Sequence, residues 1–194
     1  TARQGAGQLS KGLVRITGLS AKDQDLALSA DVSAGVPELL TLLRHPRLNL
    51  LSRKPLNVQR PAGALAGTLE VTLPLEHDLA FEAVGIHAKG RLTGLRLGGL
   101  VAGRDLDRGD VAIDVTPQAL HASGQAAVGS IPAAVTVDMD FRDGGPAQIV
   151  QQATAEGQAT AAQLAAAGLD FTGIVGAGQA GLVASYAARR DGEA

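Results

Sequence analysis

The stretch from Ile131 to Phe141 reads Ile-Pro-Ala-Ala-Val-Thr-Val-Asp-Met-Asp-Phe. Ile131, Ala133, Val135, Val137, Met139 and Phe141 fall on one parity, and Pro132, Ala134, Thr136, Asp138 and Asp140 on the other. In an extended chain successive side chains point to opposite faces, so one face here is aliphatic and the other carries carboxylates. A helix mixes the two sets. At about 3.3 Å per residue such a strand is about 35 Å long, beyond the usual length. It needs strands beside it and cover over one face. The rest of the chain reads as those partners, giving a mainly β fold: a long antiparallel sheet with one apolar face.

The neighbouring segments keep the same period. Gly12 to Leu19 and Leu26 to Val32, joined at Ala21-Lys22-Asp23, predict a hairpin. Ala64 to Leu75 places Leu65, Leu69, Val71, Leu73 and Leu75 against Thr68, Glu70 and Thr72. Leu79 to Leu97 predicts a broken strand whose phase slips between Phe81 and Val84, the mark of a bulge. Val111, Ile113 and Val115 alternate with Asp110, Ala112 and Asp114, and Leu120 to Val128 alternates likewise. Ile149 to Ala159 is a last long strand before a Gly-rich end that alternates up to Arg189. Two segments break the pattern. Val36 to Arg44 sets Val36, Leu39, Leu40 and Leu43 on one helical face, with Pro37 where a first turn accepts proline. Ala161 to Ala167 predicts a second short helix.

Bulk composition removes several function classes. The 194 residues suffice for one domain. Hydrophobic residues make up 45% and aromatics 2%, so the apolar surface is Leu, Val, Ile and Ala. So few rings leave no stacking platform for single-stranded nucleic acid. A net charge of −2 with dispersed Lys and Arg gives no electrostatic footprint for DNA. The absence of Cys excludes disulfides, thiolate metal sites and a Cys nucleophile. No apolar run approaches the roughly 18 residues of a membrane span, and Thr1 to Ser10 is not a signal peptide. Both ends read as cut from a longer protein.

The loudest motif is Gly176-Ala177-Gly178-Gln179-Ala180-Gly181. Taken locally it is the GxGxxG fingerprint of an FAD- or NAD-binding enzyme fragment, in which glycine turns seat a pyrophosphate on a helix N-terminus. That fingerprint needs alternating strands and helices, and the upstream chain is antiparallel in character. The run is therefore read as a Gly-rich loop entering another strand. Asp105-Leu106-Asp107-Arg108-Gly109-Asp110 lacks the closing Glu of a calcium loop and is read as a solvated turn. His45, His77, His87 and His121 show no metal-ligand spacing, and no GxSxG supplies a serine elbow. Asp138 and Asp140 share a strand face and are read as solvated. The basic loop from Arg44 to Arg60 is read as solvated rather than as a site for lipid headgroups, and Pro55 and Pro61 bar a regular central strand there. No catalytic, metal-binding or cofactor-binding residue is assigned.

An internal repeat is visible. Ser29 to Leu39 aligns without a gap on Thr154 to Leu164, a shift of 125 residues. Each copy is a strand, a helix opening and a Leu within the helix, and such self-similarity marks stacked units. Units are expected around residues 26–75 and 149–188, within a single segment spanning 1–194.

On these features the chain resembles the AsmA/TamB superfamily of bacterial envelope proteins, closest to its YhdP-like members. The cues are the strand, short helix, loop and strand around Asp31 to Leu75, the Thr160 to Asp170 stretch, and hairpins such as Val111 to Val115 with Leu120 to Gly124. The run Gly176 to Gly181 departs from that pattern. The resemblance implies a segment of an inner-membrane-anchored periplasmic protein, with neighbouring repeats of the same parent chain beside it. It implies a long curved antiparallel sheet forming an open groove that shields phospholipid acyl chains between the two membranes, and no catalysis. Leu65, Leu69, Val71, Leu73, Val111, Ile113, Val115, Val135, Val137, Met139 and Phe141 are then the groove-lining candidates. The same side chains also suit a sealed core, which makes a structural scaffold or assembly factor for envelope proteins the alternative.

Overall fold

The computed structural model describes residues 2–4, 7–18, 24–43, 59–75, 83–101, 104–129, 131–166, 168, 178–190 and 192–193. Its strands are β1 (Ala2–Gln4), β2 (Gly7–Thr17), β3 (Asp25–Gly35), β4 (Gln59–Pro74), β5 (Gly85–Val101) and β6 (Arg104–Val115). They continue with β7 (Ala119–Val128), β8 (Ile131–Asp140), β9 (Ile149–Thr160), β10 (Gln179–Arg189) and β11 (Gly192–Glu193). Two helices interrupt them: α1 (Val36–Leu43) after β3 and α2 (Ala161–Ala166) after β9. All strands form one sheet in chain order, each antiparallel to the next, with no pairing between first and last. The sheet is open and curved, and nine long strands, β2 to β10, carry it.

Register brings two close approaches between strands onto the apolar face. On the apolar face Gly67 of β4 stands opposite Gly90 of β5. A Cβ built on Gly67 would collide with the Lys89 carbonyl and come within 2.6 Å of the Gly90 Cα. Gly124 of β7 lies opposite Val111, and a Cβ there would sit 2.7 Å from the Val111 Cα. A sheet that bends towards one face crowds the side chains on it. Residues without a Cβ relieve that crowding where neighbouring backbones come closest.

Both helices leave the same end of the sheet. Gly35, the last residue of β3, pairs with Ala64 near the start of β4, and Thr160, the last of β9, pairs with Gln179 at the start of β10. The two strand-to-helix steps are 125 residues apart, at the offset of the aligned sequences. A capping box opens α2: the Thr160 amide donates to Gln163 Oε1 at 2.9 Å, and the Gln163 amide donates to Thr160 Oγ1 at 3.3 Å. Leu164 of α2 is 2% exposed and is the one large side chain fully buried among the described residues. In α1, Val36 and Leu40 join a cluster with Leu95, Leu106, Val111, Ala126, Ala133 and Val135. The core therefore lies under α1, at the helix end of the apolar face.

Several sequence expectations change. Asp105 to Asp110 is not a turn but the first half of β6, because Asp107 pairs with Ala127 and Asp110 with Gln125 of β7, on either side of a register shift. Pro61 lies inside β4, where the pairing with β5 shifts between Gln59 and Ala64, so the proline is accommodated at an irregularity. The described part of the expected Leu79 to Leu97 strand is β5, from Gly85, and residues 79–82 lie outside the described residues. The expected slip between Phe81 and Val84 falls partly outside the described residues, as do residues 44–58 of the basic loop, His45 and His77.

Candidate functional site: an aliphatic face on an open sheet

The strand registers place ten of the eleven candidate residues on one face. One row crosses the sheet as Leu65, Leu92, Val111, Gly124, Val135, Ala155 and Ala184. The next runs Gly67, Gly90, Ile113, Ala122, Val137, Ala153 and Tyr186. A third runs Leu69, Ala88, Val115, Leu120, Met139, Gln151 and Ala188. Val71 pairs with Leu28 and Ile86, and Leu73 with Leu26, extending the same face. Phe141 is the exception. β8 ends at Asp140, and Phe141 lies past it, 40% exposed, its amide donating to the Gln118 carbonyl.

Cover over this face falls off with distance from the helix end. Leu65, Val111 and Val135 are 8%, 5% and 8% exposed. Two residues further along the same strands, Ile113 and Val137 are half-buried, and so are Leu69, Val115, Leu120 and Met139 in the third row. None of those four belongs to the cluster under α1. At the margin of the third row Ala188 is covered, at 1% exposure. Between the helix end and that margin lies a strip of Leu, Val and Met side chains. No second layer of described secondary structure stacks over it.

The opposite face is polar and laced with ion pairs. One row reads Asp31, Thr68, Lys89, Asp114, His121, Asp138 and Gln152. Along it Lys89 Nζ lies 3.5 Å from Asp114 Oδ2, and His121 Nδ1 lies 2.6 Å from Asp138 Oδ1. His87 Nε2 sits 2.7 Å from Asp114 Oδ1, and the hydrogen bond from His87, then the charge of Lys89, holds the Asp114 carboxyl below its usual range. Arg91 Nη2 donates to Asp110 Oδ2 at 2.9 Å, which lowers Asp110 and raises Arg91. Arg96 Nε reaches Asp107 Oδ1 at 2.9 Å, and Arg60 Nη2 reaches Asp105 Oδ2 at 3.3 Å. These pairs are solvent-exposed and screened, so each contributes little to stability.

At the turn end, a polar clamp joins β8, β9 and β10. Arg142 Nη2 donates to Asp140 Oδ2 at 2.7 Å, and Gln148 Nε2 donates to the same oxygen at 3.0 Å. The Arg142 hydrogen bonds, ahead of that from Gln148, hold Asp140 far below the carboxylate range. Arg190 donates from Nη2 to the Arg142 carbonyl and to Gln148 Oε1, the latter at 2.9 Å.

The carboxylates read as solvated are thus paired: Asp138 with His121, Asp140 with Arg142, and Asp105, Asp107 and Asp110 with arginines of β4 and β5. Folding β5 onto β6 would have revealed part of this, since Lys89 falls opposite Asp114 once Leu92 is set against Val111. Of the Gly-rich run, the strand it was read as entering is present. Gly176 and Ala177 lie outside the described residues, and Gln179 to Arg189 is strand β10, antiparallel to β9, where the dinucleotide fingerprint needs a helix. Among the described residues no cluster of His, Asp and Glu is arranged to hold a metal, and no helix is long and apolar enough to cross a membrane. No family model, curated protein or solved structure matches the chain.

Proposed function

We propose that this chain is a segment of a periplasmic bridge-like lipid-transfer protein of the AsmA/TamB, YhdP-like kind. Its apolar face shields phospholipid acyl chains on their way between inner and outer membrane. The observation that carries the reading is the half-buried strip of Leu69, Val115, Leu120, Val137 and Met139 on an open sheet. Shielding a chain needs only aliphatic contact, at about 0.8 kcal/mol per buried CH₂. A dozen methylenes therefore suffice without any directed polar group, and no catalytic residue is called for. In this reading the parent protein carries the inner-membrane anchor, and neighbouring repeats lengthen the groove.

Vesicles containing a phospholipid with a polarity-sensitive fluorophore on one acyl chain provide the test. The protein should extract the probe with a blue-shifted emission and deliver it to acceptor vesicles. Val137→Asp should abolish both effects. If the wild-type chain leaves the probe in donor vesicles at every protein concentration, the segment does not carry lipid.

One observation favours the scaffold reading. α1 seals the helix end over Val111 and Val135 as an ordinary core would. If such closure extended along the whole face, Val137→Asp would unfold the protein instead of blocking uptake.

A further inference from the structure

The apolar face carries polar side chains at one place. In its three rows only Gln151 of β9 and Tyr186 of β10 bear N–H or O–H groups. Gln151 stands between Met139 of β8 and Ala188 of β10, and Tyr186 stands opposite Ala153 of β9. The two are diagonal neighbours on adjacent strands, about 7 Å apart, close enough for their tips to converge. Gln151 has a paired strand on either side, so its setting is internal to the sheet.

Neither side chain has a hydrogen-bond partner among the described residues. Gln148, three residues earlier, has its amide engaged by Asp140 and Arg190. The Gln151 amide is half-buried beside Met139, Ala153 and Ala188, and nothing there answers it. A partly desolvated amide without a partner costs free energy that a bound acceptor recovers. Leu or Met would cover the same surface without that cost.

The surroundings select the acceptor. Gln151 Nε2 and Tyr186 Oη are donors. The three rows hold no Lys or Arg, so an anion placed there would lose water and gain no cation. A neutral carbonyl oxygen fits, and it must belong to a molecule that is otherwise aliphatic.

We infer that Gln151 and Tyr186 hold the ester carbonyl of an acyl chain, so that the face selects ester-linked lipids. The inference rests on the lipid reading above. Aliphatic contact holds a chain anywhere along the strip. The two hydrogen bonds fix its carbonyl end at β9 and β10, with the first methylenes against Met139 and Val137.

The test presents the 194-residue chain with two phospholipids of the same headgroup and chain length, one diester and one diether. Each is supplied in vesicles and competes with the acyl-labelled probe. The wild type should take up the diester about fivefold to tenfold better. Gln151→Leu should bring the diester down to the level of the diether, and Tyr186→Phe should narrow the preference. Because Leu fills the half-buried site with carbon, the thermal midpoint of Gln151→Leu should match or exceed that of the wild type. Tyr186 is the one tyrosine of the chain and there is no Trp, so tyrosine emission reads its hydroxyl directly. A carbonyl accepting from that hydroxyl quenches the emission, and the diester should quench it more than the diether. If neither lipid is taken up, the lipid reading fails and this inference with it. Uptake of both without preference, a preference that survives Gln151→Leu, or equal quenching by the two lipids would overturn this inference alone.

Discussion

Val135 and Val137 stand two residues apart on β8 and point to the same face, yet only Val135 is under cover. It is 8% exposed within the cluster that holds Val36 and Leu40 of α1, whereas Val137 is half-buried and outside it. The pair marks where the core ends and the open face begins. Val135→Asp buries a carboxylate without a partner and should cost about 3 kcal/mol or more. Val137→Asp should shift the thermal midpoint by only a few degrees and remove lipid uptake. Calorimetry and the vesicle assay on both variants separate the two effects.

Gly124 tests the crowding on the apolar face. A side chain there meets the Asp110 carbonyl and the Val111 backbone, neither of which is a flexible side-chain end. Gly124→Val should destabilise by about 1–3 kcal/mol through overpacking, read as a lower urea midpoint at unchanged slope. Gly181→Val, whose Cβ meets open space, should leave the midpoint near that of the wild type.

The strand-to-helix step at Thr160 has its own test. Thr160→Ala removes the acceptor for the Gln163 amide and should cost about 1 kcal/mol. Hydrogen exchange should rise first in α2. Thr160→Ser, which keeps the hydroxyl, should restore protection.

Acid should loosen the polar face and the turn-end clamp. Asp110, Asp114 and Asp140 all have carboxyls lowered from an ordinary value of 3.8 by Arg91, His87 and Arg142 respectively. A carboxyl lowered in the folded state contributes stability that is fully present above its unfolded pKa. That contribution is lost as pH falls through the folded value. The urea midpoint should therefore hold between pH 7 and 5, as far as these groups decide it, and fall below about pH 4. Asp140→Asn should make that acid limb shallower. An equally steep limb in the variant would show that the clamp does not contribute.

Much of the sheet was legible because period two is unambiguous when aliphatic and polar residues alternate without interruption. β8 from Ile131, β7 up to Val128 and β9 from Ile149 begin or end where the alternation does. Both helices were legible from a change of period and open at the predicted residues, Val36 and Ala161. What failed has a common cause. Asp105 to Asp110 looks like a turn because its charges follow one another closely, but each is matched by an arginine from β4 or β5 that sequence order places far away. β1 and β11 are too short to show a period at all. The candidate face was legible as a set of residues, whereas its division at Val135 was not. That division depends on the cluster that Val36 and Leu40 of α1 form with residues of β5 to β8, a tertiary fact with no local signature.

The most direct measurement is native mass spectrometry of the purified chain after exposure to phospholipid vesicles. The account predicts discrete adducts of phospholipid mass that are absent from Val137→Asp, while the folded charge-state distribution is unchanged. A bare protein mass at every lipid concentration, from a chain whose sheet is intact, would contradict it.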